Sequence, residues 1–310
     1  MNILVTGGSG YIGSLLTIEL IKLGHHVTVV DNLMFKQNSL GEINNKKNFK
    51  LIVGDVRDHS LMKSIVKNFD IIIPLAALVG APICDLRPTE TVEINEESIK
   101  FMSKLLSNSQ MVIMPVSNSG YGIGKPNEIC TEETALNPIS LYGRSKVAAE
   151  KIIMQRENSI CFRLATVFGM SPRMRLDLLV NYFVNEALKS KKLTIFEGHF
   201  RRNYVHIKDV ISVFLFAIKN FENLKSNIFN FGLEDANLSK LQLAKKIQEY
   251  IKDFVFVESK EGKDPDKRNY IVSNKKILSM GYKFKFDLDL GIQELIDKLP
   301  SLSEGNYSNV

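Results

Sequence analysis

Residues 3–13 read Ile3-Leu4-Val5-Thr6-Gly7-Gly8-Ser9-Gly10-Tyr11-Ile12-Gly13. An apolar run ends in a glycine turn, which satisfies GxxGxxG through Gly7, Gly10 and Gly13, and GxGxxG through Gly8, Gly10 and Gly13. Glycines here permit a tight turn, let backbone approach a pyrophosphate, and bring the following helix close to the strand. The helix N-terminus then offers N–H donors and the positive end of its dipole to phosphates. Alone the pattern is weak. Its context strengthens it: a strand precedes, a helix follows, and a second apolar run ends in Asp31, about 20 residues on. The reading is a dinucleotide site contacted by Gly7, Gly10, Tyr11, Ile12 and Gly13, with Asp31 and Asn32 at the end of the second strand. A carboxylate at Asp31 accepts hydrogen bonds from free ribose hydroxyls and repels a 2′-phosphate, so NAD is expected rather than NADP.

Working outward, the first half alternates short apolar runs with helical patterns, as in a parallel sheet covered by helices. Strands are expected at Ile3–Val5, Val27–Val30, Lys50–Val53, Asp70–Pro74, Met111–Val116 and Ile160–Leu164. Helices are expected near Ile12–Leu23, Ser60–Val66, Thr89–Leu106 and Tyr142–Gln155, with Gly24 as a left-handed cap. After Gly169 the rhythm changes. Arg173–Leu188 reads as a helix, Leu193–Phe196 as a strand, Val205–Ile218 as a turn into a helix, and Asn227–Phe231 as a strand. A further helix, Leu238–Ile251, is expected to be capped near Asn237. The polar tail after Gly305 is expected to be loose. The fold class is therefore α/β, a Rossmann-type doubly wound parallel sheet carrying a smaller α/β lobe. Residues 1–168 would form the nucleotide-binding domain, with a return of 203–232, and 169–202 with 233–310 the substrate lobe.

Composition narrows the class. The 310 residues suffice for a sizeable core, and 45% hydrophobic with 24% charged residues is ordinary for a globular protein. No long uncharged apolar run suits a membrane span. The first strand starts at Asn2, which leaves no room for a cleaved leader, and a cytoplasmic location is expected. Cys84, Cys130 and Cys161 show no CxxC spacing, so neither a disulfide framework nor a metal site is expected. The net charge of +6 suits an anionic small molecule, nucleic acid or a membrane surface without selecting among them. The scattered lysines read as a solvated surface.

The candidate chemical centre is Tyr142-Gly143-Arg144-Ser145-Lys146, which sets a phenol and an ammonium one helical turn apart on one face. A phenol titrates near 10, so service as a base near neutrality needs a shift worth roughly 4 kcal/mol. One cation about 4 Å away at an effective dielectric near 20 supplies about that much. The strand Met111–Val116 runs into Ser117-Asn118-Ser119-Gly120-Tyr121-Gly122 at the sheet edge where such folds bind ligands. A serine there would hydrogen-bond the hydroxyl that Tyr142 deprotonates; the plainer reading is a polar turn. Asp55-Val56 offers a carboxylate and an apolar contact to adenine, or a simple strand-end turn. His206 and Asp209 read as cap and packing residues rather than an acid–base pair.

Taken together, these pieces resemble the extended short-chain dehydrogenase/reductases, the NAD-dependent sugar-nucleotide epimerases and dehydratases. The resemblance runs over nearly the whole chain. It includes Gly54-Asp55-Val56-Arg57-Asp58, Leu75-Ala76-Ala77, Asn95, the Ser117 segment, Tyr142 with Lys146, Arg163 to Gly169, Arg202 to Val210, and Asn230-Phe231-Gly232. It implies that Tyr142 is the base, that Lys146 tunes it and binds the nicotinamide ribose, and that Ser117 is the hydroxyl partner. Leu75, Ala76, Ala77 and Asn95 join the cofactor site. Val79, Ser117, Asn118, Ser119, Thr166, Arg175, Arg202 and Arg268 fall to a nucleotide-sugar substrate. A homodimer through helices 89–106 and 142–155 is implied in the same way.

Four stretches resemble more narrowly the bacterial enzymes that oxidise C4 of GDP-manno-heptose for surface polysaccharides. They are Pro74 to Pro82, Asn118 to Gly124, Ser171 to Leu179, and Asp264 to Arg268. Departures matter as well. Pro74 stands where many relatives carry histidine, and Thr166 where many carry asparagine. The 4,6-dehydratases carry Asp and Glu directly after the hydroxyl residue, and here Asn118 and Ser119 cannot serve as that acid–base pair. Lys263-Asp264-Pro265-Asp266 replaces an Arg-Pro-Gly-Asp-like motif, leaving Arg268 as the phosphate contact. The expectation is NAD-dependent oxidation at C4 of a GDP-linked sugar, giving a 4-keto product. The alternatives are a 4-epimerase with retained NADH and a non-catalytic NAD-binding sensor; nucleic-acid binding is remote.

Overall fold

The computed structural model describes residues 1–125, 128–259, 261, 268–303 and 305–309. Its centre is a seven-stranded parallel sheet. In spatial order the strands are Phe49–Val53, His26–Asp31, Asn2–Thr6, Ile71–Pro74, Met111–Ser117, Ser159–Leu164 and Asn227–Phe231. Parallel strands covered on both faces read as unbroken apolar runs, and Ile71, Ile72 and Ile73 are all fully buried. Their side chains alternate. Ile3, Val5, Ile71, Ile73 and Ile113 feed one core with Leu16, Leu20, Val213 and Phe214 from the helices Tyr11–Lys22 and Ile207–Lys219. Leu4, Ile72, Val112 and Met114 feed the other, with Ile99, Met102, Ala149 and Ile153 from Ser98–Leu105 and Leu141–Ile153.

The first strand pairs on one side with His26–Asp31 and on the other with Ile71–Pro74. Strand order reverses there, and a crevice opens beyond the strand ends, where doubly wound sheets bind ligands. Thr6, Asp31, Pro74 and Ser117 all end strands at that edge.

The second half builds onto this sheet. Thr166–Phe168, Arg201–His206 and Asn237–Ser239 form a three-stranded sheet, and Lys192–Phe196 pairs with Val255–Ser259. Asn227–Phe231 returns to the main sheet beside Ser159–Leu164. Among the described residues no helix is long and apolar enough to cross a membrane.

Four local expectations are corrected. The helix expected from Arg173 begins only at Leu179. Asn181 accounts for the loop before it: its Oδ1 accepts from Gly169 N (2.9 Å) and its Nδ2 donates to the Arg175 carbonyl (2.8 Å), holding residues 169–175 away from helical pairing. The helix expected over 89–106 runs unbroken from 88 to 105 but is not α throughout, widening into a π turn at Glu93–Glu97 between Pro88–Val92 and Ser98–Leu105. Ser239, not Asn237, caps the helix Lys240–Tyr250, in a reciprocal box with Gln242. The tail is docked rather than loose: Leu176 N donates to Tyr307 O at 2.7 Å.

Candidate active site

The helix Leu141–Ile153 carries Tyr142 and Lys146, and three contacts fix its rotation. Ser140 Oγ caps its first turn by accepting from Gly143 N (3.1 Å). Glu150, a further four residues along the same stripe, takes a bidentate pair from Arg163 of the strand Ser159–Leu164, at 2.9 and 2.7 Å. Both side chains are about 5% exposed, so this pair is a fixed peg. On another face, Asn95 Nδ2 donates to Ser145 Oγ (3.1 Å), and Asn95 Oδ1 accepts from Leu78 N (2.8 Å). The π turn positions Asn95 for both. Asn95 therefore ties the Leu78 loop to the catalytic helix rather than lining the cleft.

One cleft gathers the glycine loop, the ends of the strands and this helix. Lining it are Gly7, Gly10, Tyr11, Ile12 and Gly13, Asp31 and Asn32, Asp55 and Val56, and Leu75, Ala76, Ala77 and Val79. Ser117, Tyr142, Lys146, Thr166, Arg175 and Arg268 line it too. Three expected substrate contacts fall outside this lining. Ser119 Oγ donates to Ser117 Oγ at 2.8 Å, so Ser119 orients the serine. Asn118 is fully buried, and neither polar atom of its carboxamide has a protein partner. Arg202 is buried in Arg201–His206, donating to the Arg201 carbonyl at 3.0 Å. Lys263-Asp264-Pro265-Asp266 lies outside the described residues. Sequence reasoning missed Ser9, residues 33–37, Arg173, Leu178 and Asn309, which also line the cleft. For Arg173 a signal existed, since it stands two residues before Arg175 in a run already singled out.

The nucleotide end fits a dinucleotide. A Cβ on Gly7 would sit 2.6 Å from Ala76 N, and one on Gly13 2.4 Å from Gly7 O, so close backbone packing requires glycine at both. The helix Tyr11–Lys22 has no side-chain cap and no acidic residue in its first turn, which leaves its N–H donors and dipole to an anionic ligand. Asp31 is held by Ser9 N (2.9 Å, to Oδ2) and Leu33 N (2.8 Å, to Oδ1). One acceptor position on each oxygen remains for ribose hydroxyls. Burial raises its pKa, and the nearby Arg173 opposes that rise.

Asp55 is different. Its oxygens accept from Arg57 N and Nε and from Arg57 Nη2 and Asn32 Nδ2, at 2.9 to 3.1 Å. These bonds hold its pKa at about 2 and fill its acceptor positions. The strand-end turn accounts for these bonds, and both Asp55 and Val56 line the cleft.

At the chemical end, burial raises the Tyr142 phenol above its ordinary value, while a hydrogen bond with Ser117 and the charges of Arg268 and Arg175 oppose the rise. Lys146 is 7% exposed, and burial lowers its ammonium to about 8. The charges that act on the phenol here are those of Arg268 and Arg175.

The family model for the NAD dependent epimerase/dehydratase family matches residues 3–232. The chain belongs to this family. Members resembling it include a dTDP-D-glucose 4,6-dehydratase of Dictyostelium discoideum, 30% identical over 269 residues, 79% of this chain and 61% of that protein. The chain thus spans less than two thirds of that relative. A UDP-glucose 4-epimerase of Lactobacillus helveticus is 28% identical, covering 80% of this chain and 82% of its own. Among solved structures, a UDP-glucose 4-epimerase of Thermotoga maritima with UDP-glucose superposes with a TM-score of 0.83 at 25% identity, over 97% of this chain and 99% of that one. NAD is the family's cofactor, and the glycine cradle, the uncapped helix and Asp31 fit it.

Asp31 is expected to set the choice of nucleotide. Asp31→Ser is expected to raise NADPH affinity relative to NADH by at least tenfold. Removing one charge about 5 Å from a phosphate is worth about 3 kcal/mol at an effective dielectric near 20, and Arg173 stays behind as a cation. Fluorescence titration with both nucleotides measures this, and an unchanged ratio would exclude Asp31 from the discrimination.

Proposed function

We propose that the protein oxidises a nucleotide-activated sugar at C4, with Tyr142 as the base. The observation that carries this reading is the convergence of Tyr142, Ser117 and Lys146 on one cleft with the glycine loop. Bound NAD supplies the acceptor for the hydrogen on the sugar carbon. Tyr142 takes the hydroxyl proton, and Ser117, steadied by Ser119, holds that hydroxyl against the phenol. Arg175 and Arg268 line the same cleft and supply positive charge for a diphosphate. Asn118 and Ser119 offer no ionisable acid–base pair, which argues against a dehydratase.

The sequence resemblance supports a GDP-linked heptose as the sugar, a 4-keto product and a homodimer. A second reading, a 4-epimerase that keeps its reduced cofactor, is favoured by one observation: the C-terminal segment lies across the cofactor cleft. The deciding assay incubates the holoenzyme with GDP-, UDP-, CDP- and dTDP-sugars, following NADH absorbance with and without a 2-oxo acid and product configuration by NMR. Accumulating NADH or a 4-keto sugar is expected for the dehydrogenase, and an epimer without NADH for the epimerase. Neither from any sugar would leave the sensor.

A further inference from the structure

Residues 305–309 close the cleft from outside. Leu176 N, from the substrate side, donates to Tyr307 O at 2.7 Å. Gln37 Nε2, on the loop after Asp31, donates to Asn306 O at 3.0 Å. Asn309 Nδ2 donates to Val79 O at 3.2 Å, on the loop after the fourth strand of the sheet. The segment thus bonds to three stretches of chain around the cleft. Asn309 lines the cleft, and residues 305–309 also line a separate outer cavity with Ile83 and Arg87, so the tail is a partition between the two.

Two polar atoms on this side have no protein partner although buried: Asn309 Oδ1 and Arg173 Nε. Arg173 is 2% exposed, stacks 4.1 Å over the Phe35 ring, and lines the cleft next to Asp31's field. Burying such groups without a partner is costly, and a polar ligand in the cleft relieves it.

We propose that Gly305–Asn309 is the outer wall of the dinucleotide site, with Asn309 and Arg173 as its polar contacts, and that NAD leaves only when this segment lifts. The proposal rests on the NAD assignment and deepens the functional reading. A cofactor walled in on the outer side leaves slowly, whichever way its reducing equivalents go.

The test measures NADH release without any sugar. Full-length protein loaded with NADH is mixed with excess NAD, and the loss of nucleotide fluorescence gives the dissociation rate; acid extraction after gel filtration gives nucleotide retained per chain. Truncation after Leu302 is expected to speed release at least tenfold and to strip the purified protein of nucleotide. Asn309→Ala and Gln37→Ala, which each remove one tether, are expected to speed it severalfold, and they decide the matter if the truncated chain does not fold. Unchanged release in any variant with native circular dichroism would overturn the proposal and leave the Tyr142 chemistry untouched. Failure of the full-length protein to bind NADH would overturn both.

Discussion

Tyr142→Phe is expected to lower turnover by about 100- to 10,000-fold, the range a positioned general base supplies, while leaving the fold and NADH affinity within about threefold. The reasoning starts from packing. The Tyr142 ring lies against Val56, Leu78 and Ile83, and phenylalanine preserves that ring in the same place. Only the hydroxyl goes, and among the described residues Tyr11 is the one other phenol that lines the cleft. Tyr11, the other phenol lining the cleft, donates to the Gly169 carbonyl at 2.6 Å and is pushed by burial far above the range in which it would ionise. It cannot substitute. Wild-type turnover should rise with pH as the base sheds its proton, and the residual rate of the variant should lack that limb. Steady-state kinetics across pH on a turned-over sugar nucleotide reads both effects. Wild-type turnover in the phenylalanine variant would remove Tyr142 from the chemistry.

The features legible in the sequence share a cause: their function is written in local chemistry. Gly7 and Gly13 must be glycine because backbone stands where a Cβ would go, and Tyr142 and Lys146 share a face because a helix places them so. What escaped depends on backbone atoms that any residue supplies. The tail is anchored largely through the carbonyls of Asn306 and Tyr307, reached by Gln37 and Leu176, with one side-chain bond from Asn309, so little in its sequence marks it as docked. Periodicity likewise cannot register the π turn at Glu93–Glu97, which holds one extra residue within an apparently continuous helix and aims Asn95 at the Leu78 loop. The spacing of Arg173 and the residues after it suits a helix as well as a loop. Asn181, grasping Gly169 and Arg175 from beyond, decides for the loop and so brings both arginines to the cleft. At Asp55 the sequence left two readings open, since a carboxylate at a strand end suits adenine as well as it suits Arg57 two residues on.

Lys146→Met is expected to abolish most turnover and yet stabilise the cofactor-free protein. Lys146 is buried, and the groups that raise its pKa are the thiols of Cys161 and Cys84, both themselves pushed up by burial and so neutral near pH 7. No carboxylate appears among the influences on it, and the net result is an ammonium lowered from 10.5 to about 8. A folded-state pKa below the unfolded one means that the unfolded chain binds more protons between those values, so stability rises with pH across the window from about 8 to 10.5. Below pH 8 both states carry the proton and the full cost of burial is present, up to about 3 kcal/mol at ~1.4 kcal/mol per tenfold change in proton affinity. Methionine keeps the straight chain and removes the charge. Its melting temperature without nucleotide should therefore exceed that of the wild type by several degrees at pH 7, with the gain shrinking toward pH 10. Saturating NAD should narrow or reverse the difference, because a ligand that bonds the ammonium stabilises only the lysine protein. Calorimetry at the two pH values, with and without nucleotide, separates these effects. A cofactor-free Lys146→Met protein less stable than the wild type at pH 7 would show that the fold, rather than the bound ligand, is what holds this charge.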